Sequence, residues 1–217
     1  MPNYTDIAQK GAYSSHSIYT PQDVAHIVSY AGAVRSVAPP PLPSFLLIHP
    51  AARNRRSRRM SFFFFFSTVE TNVMMHTQEI DTPGHTSAIS KAHPEHIACA
   101  EATPWATYAN EPPAGQLRLA SPATINFTVG LLSAVAEMFP SALFSTGGDE
   151  INAQCYADDA QTQSDLDGRT LEQALDAFTL ATHGALEKLG KTPVVWQGAA
   201  YMPVFLICKG LKTFVWG

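Results

Sequence analysis

Apolar side chains recur at helical spacing in three parts of the chain. Residues 21–33 carry a modest apolar face, and residues 123–139 and 170–189 carry stronger ones. Short apolar runs at 142–146 and 192–196 follow the second and third of these segments and have the composition of buried strands. The alternation of strands and helices with long connections predicts an α/β fold with a parallel sheet.

Polar residues at the segment ends support these boundaries. Thr20 and Thr170 each precede a helical run and carry the hydroxyl that an N-cap needs. Residues 10–14 are predicted to be the end of a short strand, and residues 79–85 a strand that runs into a turn. The stretch 93–123, with many Pro, Ala and Gly residues, is predicted to be a long structured loop.

The predicted strands end in residues that can carry out chemistry. These residues are Asp81 and His85, Asp149 and Glu150, and Trp196. Active sites lie at the carboxyl ends of the strands both in β/α barrels and in doubly wound sheets. The pattern therefore indicates a site at this edge without choosing between the two folds.

The pair Asp149–Glu150 is the most specific of these features. Two carboxylates this close repel each other, so one tends to keep its proton, which provides the acid and the anion that glycoside cleavage needs. Gly147 and Gly148 before the pair let the backbone approach a ligand closely. The alternative is a metal-binding or solvated pair of loop carboxylates.

Asp81, His85 and Trp196 are less specific on their own. A lone histidine is more often a hydrogen-bonded structural residue, and an Asp-x-x-x-His pair can also bind a metal. No third ligand with suitable spacing is evident, so we expect neither a metal nor a cofactor. Trp196 is either a core residue or a platform that stacks on a sugar.

Residues 34–78 differ in composition from the rest of the chain. They contain six of the eight arginines and one acidic residue, a net charge of +5 in a chain whose total is −4. A Pro-rich run, a basic cluster at 53–59 and five phenylalanines at 62–66 follow one another without helical or strand periodicity. We interpret the segment as a disordered or irregular low-complexity insert, not as a nucleic-acid or membrane patch. The phenylalanine run is too short to cross a bilayer.

The sequence gives few signals about the compartment. Residues 1–6 are polar, so no signal peptide is expected in this chain. Cys99, Cys155 and Cys208 are odd in number and lack the spacing of a zinc site. The sequons at Asn3 and Asn126 point only weakly to secretion.

Three segments resemble the signature sequences of glycoside hydrolase family 20, the β-N-acetylhexosaminidases, and the fungal members most of all. They are Asp81-Thr-Pro-Gly-His-Thr86, Phe144-Ser-Thr-Gly-Gly-Asp-Glu150 and Val194-Val-Trp-Gln197. Their order and spacing agree as well, and the resemblance covers about residues 9–33 and 79–197. It implies a partial (β/α)8 TIM barrel with about three β/α units.

The resemblance also implies a reaction and a role for each residue. Family members hydrolyse terminal non-reducing N-acetyl-D-hexosamine residues of β-N-acetylhexosaminides by a retaining mechanism in which the substrate's acetamido group is the nucleophile. Glu150 would be the acid and base, and Asp149 would orient the acetamido group. His85 would tune Glu150, Asp81 would support His85, and Trp196 would form a wall of the acetamido pocket.

Further expectations follow from the same resemblance. Cys155 resembles a half-cystine of the family, with Cys99 as its partner, and Asn126 is a glycosylation candidate. The parent enzyme is expected to be secreted or to reside in a vacuole or lysosome-like compartment. Its substrates would be N-acetylglucosamine or N-acetylgalactosamine glycosides, as in chitin degradation, and the full-length family member is a possible homodimer.

The chain departs from the family pattern in three places. The 34–78 insert stands where the family has a short turn and a strand, and we interpret it as translated intron, which transcript sequencing would test. The small N-terminal domain and the first barrel strands are not recognisable, and the 198–217 tail does not resemble the family. We therefore interpret residues 1–217 as an incomplete catalytic barrel domain with impaired activity.

Two other classes of function stay open at this point. One is a non-catalytic sugar-binding remnant or the product of a defective gene model. The other is an interaction protein that uses the basic residues 53–59, which the absence of an amphipathic pattern disfavours.

Overall fold

The computed structural model describes residues 4–14, 16–35, 64–67, 75–148, 150–196 and 212–214, with the backbone alone for 32–35, 64–67, 75–77 and 212–214. The helices are α1 (Thr5–Gly11), α2 (Pro21–Arg35), α3 (Trp105–Tyr108), α4 (Pro122–Ala136), α5 (Ala153–Asp158), α6 (Ala160–Leu166) and α7 (Leu171–Lys188). The strands are β1 (Phe64–Ser67), β2 (Met75–Glu79), β3 (Ile97–Ala98), β4 (Gln116–Leu117), β5 (Leu143–Ser145), β6 (Thr192–Trp196) and β7 (Lys212–Phe214). Two 3₁₀ turns lie at Ser87–Lys91 and Pro94–His96.

Five strands form the main sheet in the order β1-β2-β5-β6-β7. β2, β5, β6 and β7 are parallel to one another, and β1 runs antiparallel to β2 at one edge. Along the chain, α4 connects β2 to β5 and α7 connects β5 to β6. The predicted parallel α/β architecture is therefore confirmed, and within the described residues the sheet stays open, with β1 and β7 at its edges.

The two crossover helices begin and end close to the residues that the sequence indicated. Ser121 caps α4, with Pro122 in the first helical position. Thr170 caps α7 and exchanges hydrogen bonds with Gln173 at 2.9 and 3.2 Å, which forms a capping box. The cap at Thr170 was predicted from the sequence, whereas the cap at Ser121 was not.

The core lies between these helices and the sheet. Leu132, Phe144 and Leu186 are fully buried in it, and burying a side chain of this size stabilises the fold by about 2–3 kcal/mol. A second cluster lies beneath the long loop between β2 and α4. There the buried Tyr156 hydroxyl donates to the Leu117 carbonyl at 2.7 Å, which joins the loop to the core.

The prediction of a strand end at residues 10–14 is wrong. Residues Thr5–Gly11 form α1, and bends follow it. Asp6 in the first turn and Lys10 in the last turn complement the helix dipole. Ile7 is 1% exposed and packs into the second core cluster, so tertiary burial supports a short helix that periodicity did not indicate.

The prediction that the 34–78 insert is irregular is wrong for part of it. Its residues 64–67 form β1, and its last residues belong to β2. Phenylalanine favours strands, and the outer edge of β2 offers unpaired backbone groups, so β1 satisfies them. Residues 36–63 and 68–74 lie outside the described residues, as does most of the 198–217 tail.

The stretch 93–123 is a structured loop with more internal order than predicted. β3 and β4 pair in it as a small antiparallel sheet, with Ile97 opposite Leu117. Both residues are almost completely buried, which explains how a ladder of two residues persists.

No helix in the described part of the chain combines the length and the apolar character that a membrane span needs.

Candidate active site

The candidate site lies at the carboxyl ends of β2 and β5, which are neighbours in the sheet. Backbone pairing continues past both strands, because the Thr82 N–H donates to the Thr146 carbonyl at 2.8 Å. This pairing places Asp81, in the turn after β2, directly beside Gly147 and Gly148, in the turn after β5.

Gly147 makes the close approach of Asp81 possible. Its φ is +67°, in the left-handed region, and an added Cβ would lie 1.9 Å from Oδ1 of Asp81. The next residue, Gly148, donates its N–H to the same oxygen at 3.2 Å. A side chain at Gly147 would displace Asp81, so the glycine is needed for both its backbone conformation and its lack of bulk.

The ring of His85 connects the two turns. Its Nδ1 lies 2.6 Å from Oδ2 of Asp81, and its Nε2 lies 2.8 Å from Oε2 of Glu150. Side-chain exposure rises from 10% at Asp81 to 28% at His85 and 34% at Glu150. The carboxylate of Glu150 is therefore the most accessible of these three side chains. An imidazole held between two carboxylates can fix the orientation of Glu150 and exchange a proton with it.

The backbone around Glu150 is held in an uncommon conformation. Its φ is +58°, in the left-handed region, which is typical of functional sites when the residue is not glycine. Gln116 anchors the segment that follows: its side-chain amide donates to the Asn152 carbonyl at 2.7 Å and accepts from the Asn152 N–H at 3.1 Å. Gln116 is buried, and sequence reasoning missed its role because Asn152 lies 36 residues away.

A shallow depression opens beside His85 and Glu150. Its rim includes Tyr108, Asn110 and Glu111 from the loop before β4. Aromatic and polar side chains of this kind can stack on a sugar and hydrogen-bond its hydroxyls. The sequence had indicated only a structured loop here, because these residues lack a recognisable motif.

The model of the glycosyl hydrolase family 20 catalytic domain matches residues 70–216. The chain belongs to glycoside hydrolase family 20. The matched range includes residues 198–216, for which inspection of the sequence showed no resemblance.

Solved family 20 structures share the fold. The Flavobacterium johnsoniae chitobiase has a TM-score of 0.63 at 20% identity, over 99% of this chain and 27% of that one. The Vibrio harveyi GH20 exo-β-N-acetylglucosaminidase, in complex with N-acetylglucosamine, has a TM-score of 0.55 at 22% identity, over 67% of this chain and 23% of that one. The described strands are therefore part of the family's (β/α)8 barrel and not of a doubly wound sheet.

A curated family 20 relative is more similar in sequence. The β-hexosaminidase of the fungus Arthroderma benhamiae is 38% identical over 124 residues, which cover 55% of this chain and 20% of that protein. This chain spans about a fifth to a quarter of the length of these three proteins.

Trp196 and Asp149 are the other residues predicted for the site. Trp196 ends β6 and is half-buried, and its backbone N–H donates to the Gly147 carbonyl at 3.0 Å. It therefore lies one strand away from the turn that leads to Glu150. Asp149 lies outside the described residues.

The remaining predicted residues are the cysteine pair and the glycosylation sequon. Cys99 and Cys155 are joined by a disulfide with their Cα atoms 6.0 Å apart. The bond connects the long loop after β2 to α5, close to the segment that Gln116 anchors. Asn126 is exposed on α4.

His183 of α7 is a buried titratable group that sequence reasoning did not single out. Its Nε2 hydrogen-bonds Oγ1 of Thr146 at 3.0 Å, directly before Gly147. Burial lowers the pKa of His183 from 6.5 to about 4, so the ring is neutral at pH 7. The contact ties α7 to the end of β5 from the outer side of the sheet.

Proposed function

We propose that this chain carries the acid–base apparatus of a β-N-acetylhexosaminidase and hydrolyses terminal non-reducing N-acetyl-D-hexosamine residues of β-N-acetylhexosaminides. The observation that supports the proposal most is the line from Asp81 through His85 to Glu150, at 2.6 and 2.8 Å, at the strand ends of a family 20 barrel. The compared proteins carry the names β-hexosaminidase, chitobiase and exo-β-N-acetylglucosaminidase.

The proposed reaction is retaining and substrate-assisted. The acetamido oxygen of the substrate attacks the anomeric carbon while the glycosidic bond breaks and Glu150 gives its proton to the leaving oxygen. Glu150 then takes a proton from water, and that water opens the oxazolinium-like intermediate at the same carbon. No protein nucleophile is needed, which is one of the exceptions to the usual two-carboxylate scheme.

The neighbouring residues would orient these groups. His85 holds the carboxylate of Glu150, and Asp81 holds His85. Asp149 would orient the acetamido group and stabilise the positive charge that forms on it. Trp196 would form one wall of the acetamido pocket.

The substrate class and location follow from the same proposal. N-acetylglucosamine or N-acetylgalactosamine glycosides, including chitin oligomers, are the proposed substrates. The Cys99–Cys155 disulfide supports an oxidising compartment, hence secretion or a vacuolar or lysosome-like location. A homodimer is the proposed assembly of the full-length family member.

Turnover of a chromogenic N-acetylglucosaminide by the 217-residue chain tests the proposal. We expect Glu150→Gln to lower kcat by at least about 100-fold, since general acid–base catalysis contributes this much or more. The matched control is Glu187→Gln, on the exposed surface of α7. Equal rates for the two variants would contradict the role of Glu150.

The alternative is a sugar-binding chain without turnover. Residues 1–217 span only part of the length of the compared proteins, so we propose that this segment taken alone has impaired activity. Absence of turnover, together with weak binding of N-acetylglucosamine-thiazoline, would support this alternative over the enzyme.

A further inference from the structure

A second cluster of chemically active side chains lies in the loop between β2 and β3. His93, Glu95 and His96 each offer a ligand atom, and these atoms lie within 4.8 Å of one another. Oε1 of Glu95 is 3.2 Å from Nδ1 of His93 and 3.9 Å from Nε2 of His96. In a tetrahedral zinc site with bonds of about 2.0–2.2 Å, neighbouring ligand atoms are separated by about 3.4 Å. These two separations bracket that value.

An oxygen atom lies near the other nitrogen of each ring. Nε2 of His93 lies 2.8 Å from Oδ2 of Asp6, on α1, and Nδ1 of His96 lies 3.0 Å from Oγ1 of Thr124, on α4. Histidines that bind metals usually donate their second N–H to a carboxylate or another oxygen, which fixes the tautomer. Nδ1 of His96 has such a hydrogen-bond partner, whereas Nε2 of His93 has a carboxylate oxygen at 2.8 Å without a hydrogen bond to it.

Hydrogen bonds alone do not join all three candidate ligand atoms. Nε2 of His93 is buried and, although Oδ2 of Asp6 lies nearby, makes no hydrogen bond, whereas Nδ1 hydrogen-bonds Oε1 of Glu95 at 3.2 Å. A proton on Nδ1 would satisfy that pair but would leave Nε2 of His96, at 3.9 Å, beyond hydrogen-bond range of the same oxygen. A metal ion can bind all three atoms.

Neighbouring residues hold the cluster in place. The ring of Phe127 contacts both imidazoles, with centroid distances of 4.9 Å to His93 and 4.3 Å to His96. Arg118 donates to the Glu95 carbonyl at 2.8 Å. Its guanidinium is paired with both oxygens of Asp159 at 2.9 Å.

We propose that His93 Nδ1, His96 Nε2 and the Glu95 carboxylate bind one divalent transition-metal ion, and that zinc is the best match. Imidazole and carboxylate ligands suit zinc and neighbouring metals. Asp6 and Glu95 together supply two negative charges near the ion. Because Asp6 belongs to α1, the bound ion would fasten the N-terminal helix to the loop that leads into β3.

Zinc titration of the metal-free, untagged 217-residue chain against a chromogenic chelator tests the site. We expect one equivalent to bind with micromolar or tighter affinity and to raise the melting temperature. Glu95→Ala and His96→Gln should each weaken binding at least about tenfold, and Asp6→Asn by about 10-fold through His93. The side chain of Glu95 is 60% exposed. We therefore expect Glu95→Ala to fold normally even if His96→Gln does not.

The matched control is His26→Gln on the exposed surface of α2, which should bind zinc as the unmodified chain does. No binding at about 100 µM zinc would overturn the site. Binding that is unchanged in both Glu95→Ala and His96→Gln would overturn it too, because the metal would then occupy other residues.

Discussion

Nε2 of His85 lies 2.8 Å from Oε2 of Glu150, and this contact joins the turns that follow two neighbouring parallel strands. Asp81 holds the opposite ring nitrogen at 2.6 Å. The orientation of Glu150 therefore depends on residues that lie more than sixty positions earlier in the chain. Local sequence around Glu150 cannot provide this support, because it comes from the next strand of the sheet.

The first prediction concerns Asp81. Asp81→Asn keeps the side-chain volume but removes the charge that fixes the ring of His85, so we expect kcat on a chromogenic N-acetylglucosaminide to fall about 10- to 100-fold with little change in KM. Initial-rate kinetics measure this split. Asp158→Asn, on the exposed surface of α5, is the control. An unchanged kcat in Asp81→Asn would show that the line of contacts does not serve catalysis.

The second prediction separates the two reasons for a glycine at position 147. Gly147 and Gly190 have φ values of +67° and +73°, but only the Cβ added at Gly147 meets other atoms, with Oδ1 of Asp81 at 1.9 Å. Each alanine variant should lose about 1–2 kcal/mol of stability to left-handed strain. Gly147→Ala should lose about 1–3 kcal/mol more to the clash.

Urea denaturation measures the two free energies of unfolding. If the two alanine variants lose the same stability, Asp81 moves aside without cost and the close approach is not required.

Local signals explain which parts of the fold were predictable. α7 begins directly after Thr170, whose capping partner Gln173 is three residues away, and the strand at 192–196 contains the apolar run Val194-Val-Trp196. The motif residues Asp81, His85 and Glu150 were recognisable for the same reason, since each lies within a short characteristic segment.

Contacts between distant segments explain what was missed. The amide of Gln116 acts on the backbone of Asn152, and β1 forms because β2 offers it an edge. The contact of Asp6 with His93 likewise joins residues that no local pattern relates. Such pairs are decided by the tertiary fold, so periodicity and spacing could not reveal them.

The third prediction concerns the two tasks of Asp159. Its carboxylate pairs with Arg118 at 2.9 Å and caps α6 by accepting from the Thr162 N–H at 2.9 Å. Burial raises the pKa of Asp159, but the hydrogen bonds from Arg118 and Thr162 outweigh it, so the pKa is lowered overall. The stabilisation is therefore present above the unfolded-state pKa and is lost as the pH falls through the lower folded-state pKa.

Asp159→Asn keeps the cap and removes the charge, so we expect a loss of about 1–3 kcal/mol at pH 7. Asp159→Ala should lose about 1 kcal/mol more, because the cap is lost as well. Urea denaturation at pH 7 and pH 3 measures both effects, and the loss in Asp159→Asn should shrink at pH 3. A loss of equal size at both pH values would contradict the charge-based explanation.

The fourth prediction concerns the disulfide. Cys99 and Cys155 are separated by 56 residues, and closing a loop of this length stabilises the folded state by about 4 kcal/mol in the chain-entropy model. Cys99→Ser should lower the free energy of unfolding by that order, and dithiothreitol should have no further effect on the variant. Cys208→Ser, at the cysteine outside the described residues, is the control and should keep its sensitivity to the reductant.

The last prediction concerns His183 and acid. Burial lowers its pKa from 6.5 to about 4, so between these values the unfolded chain binds a proton that the folded chain does not. The free energy of unfolding should therefore fall as the pH decreases from 6.5 to 4, by about 3 kcal/mol from this group. His183→Gln removes the titration and keeps a side chain that can reach Thr146, so its stability should decline less over this range. Urea denaturation at half-unit pH steps measures the difference, with His26→Gln as the exposed control that keeps the full decline. Parallel pH profiles for His183→Gln and the unmodified chain would show that another group causes the acid sensitivity.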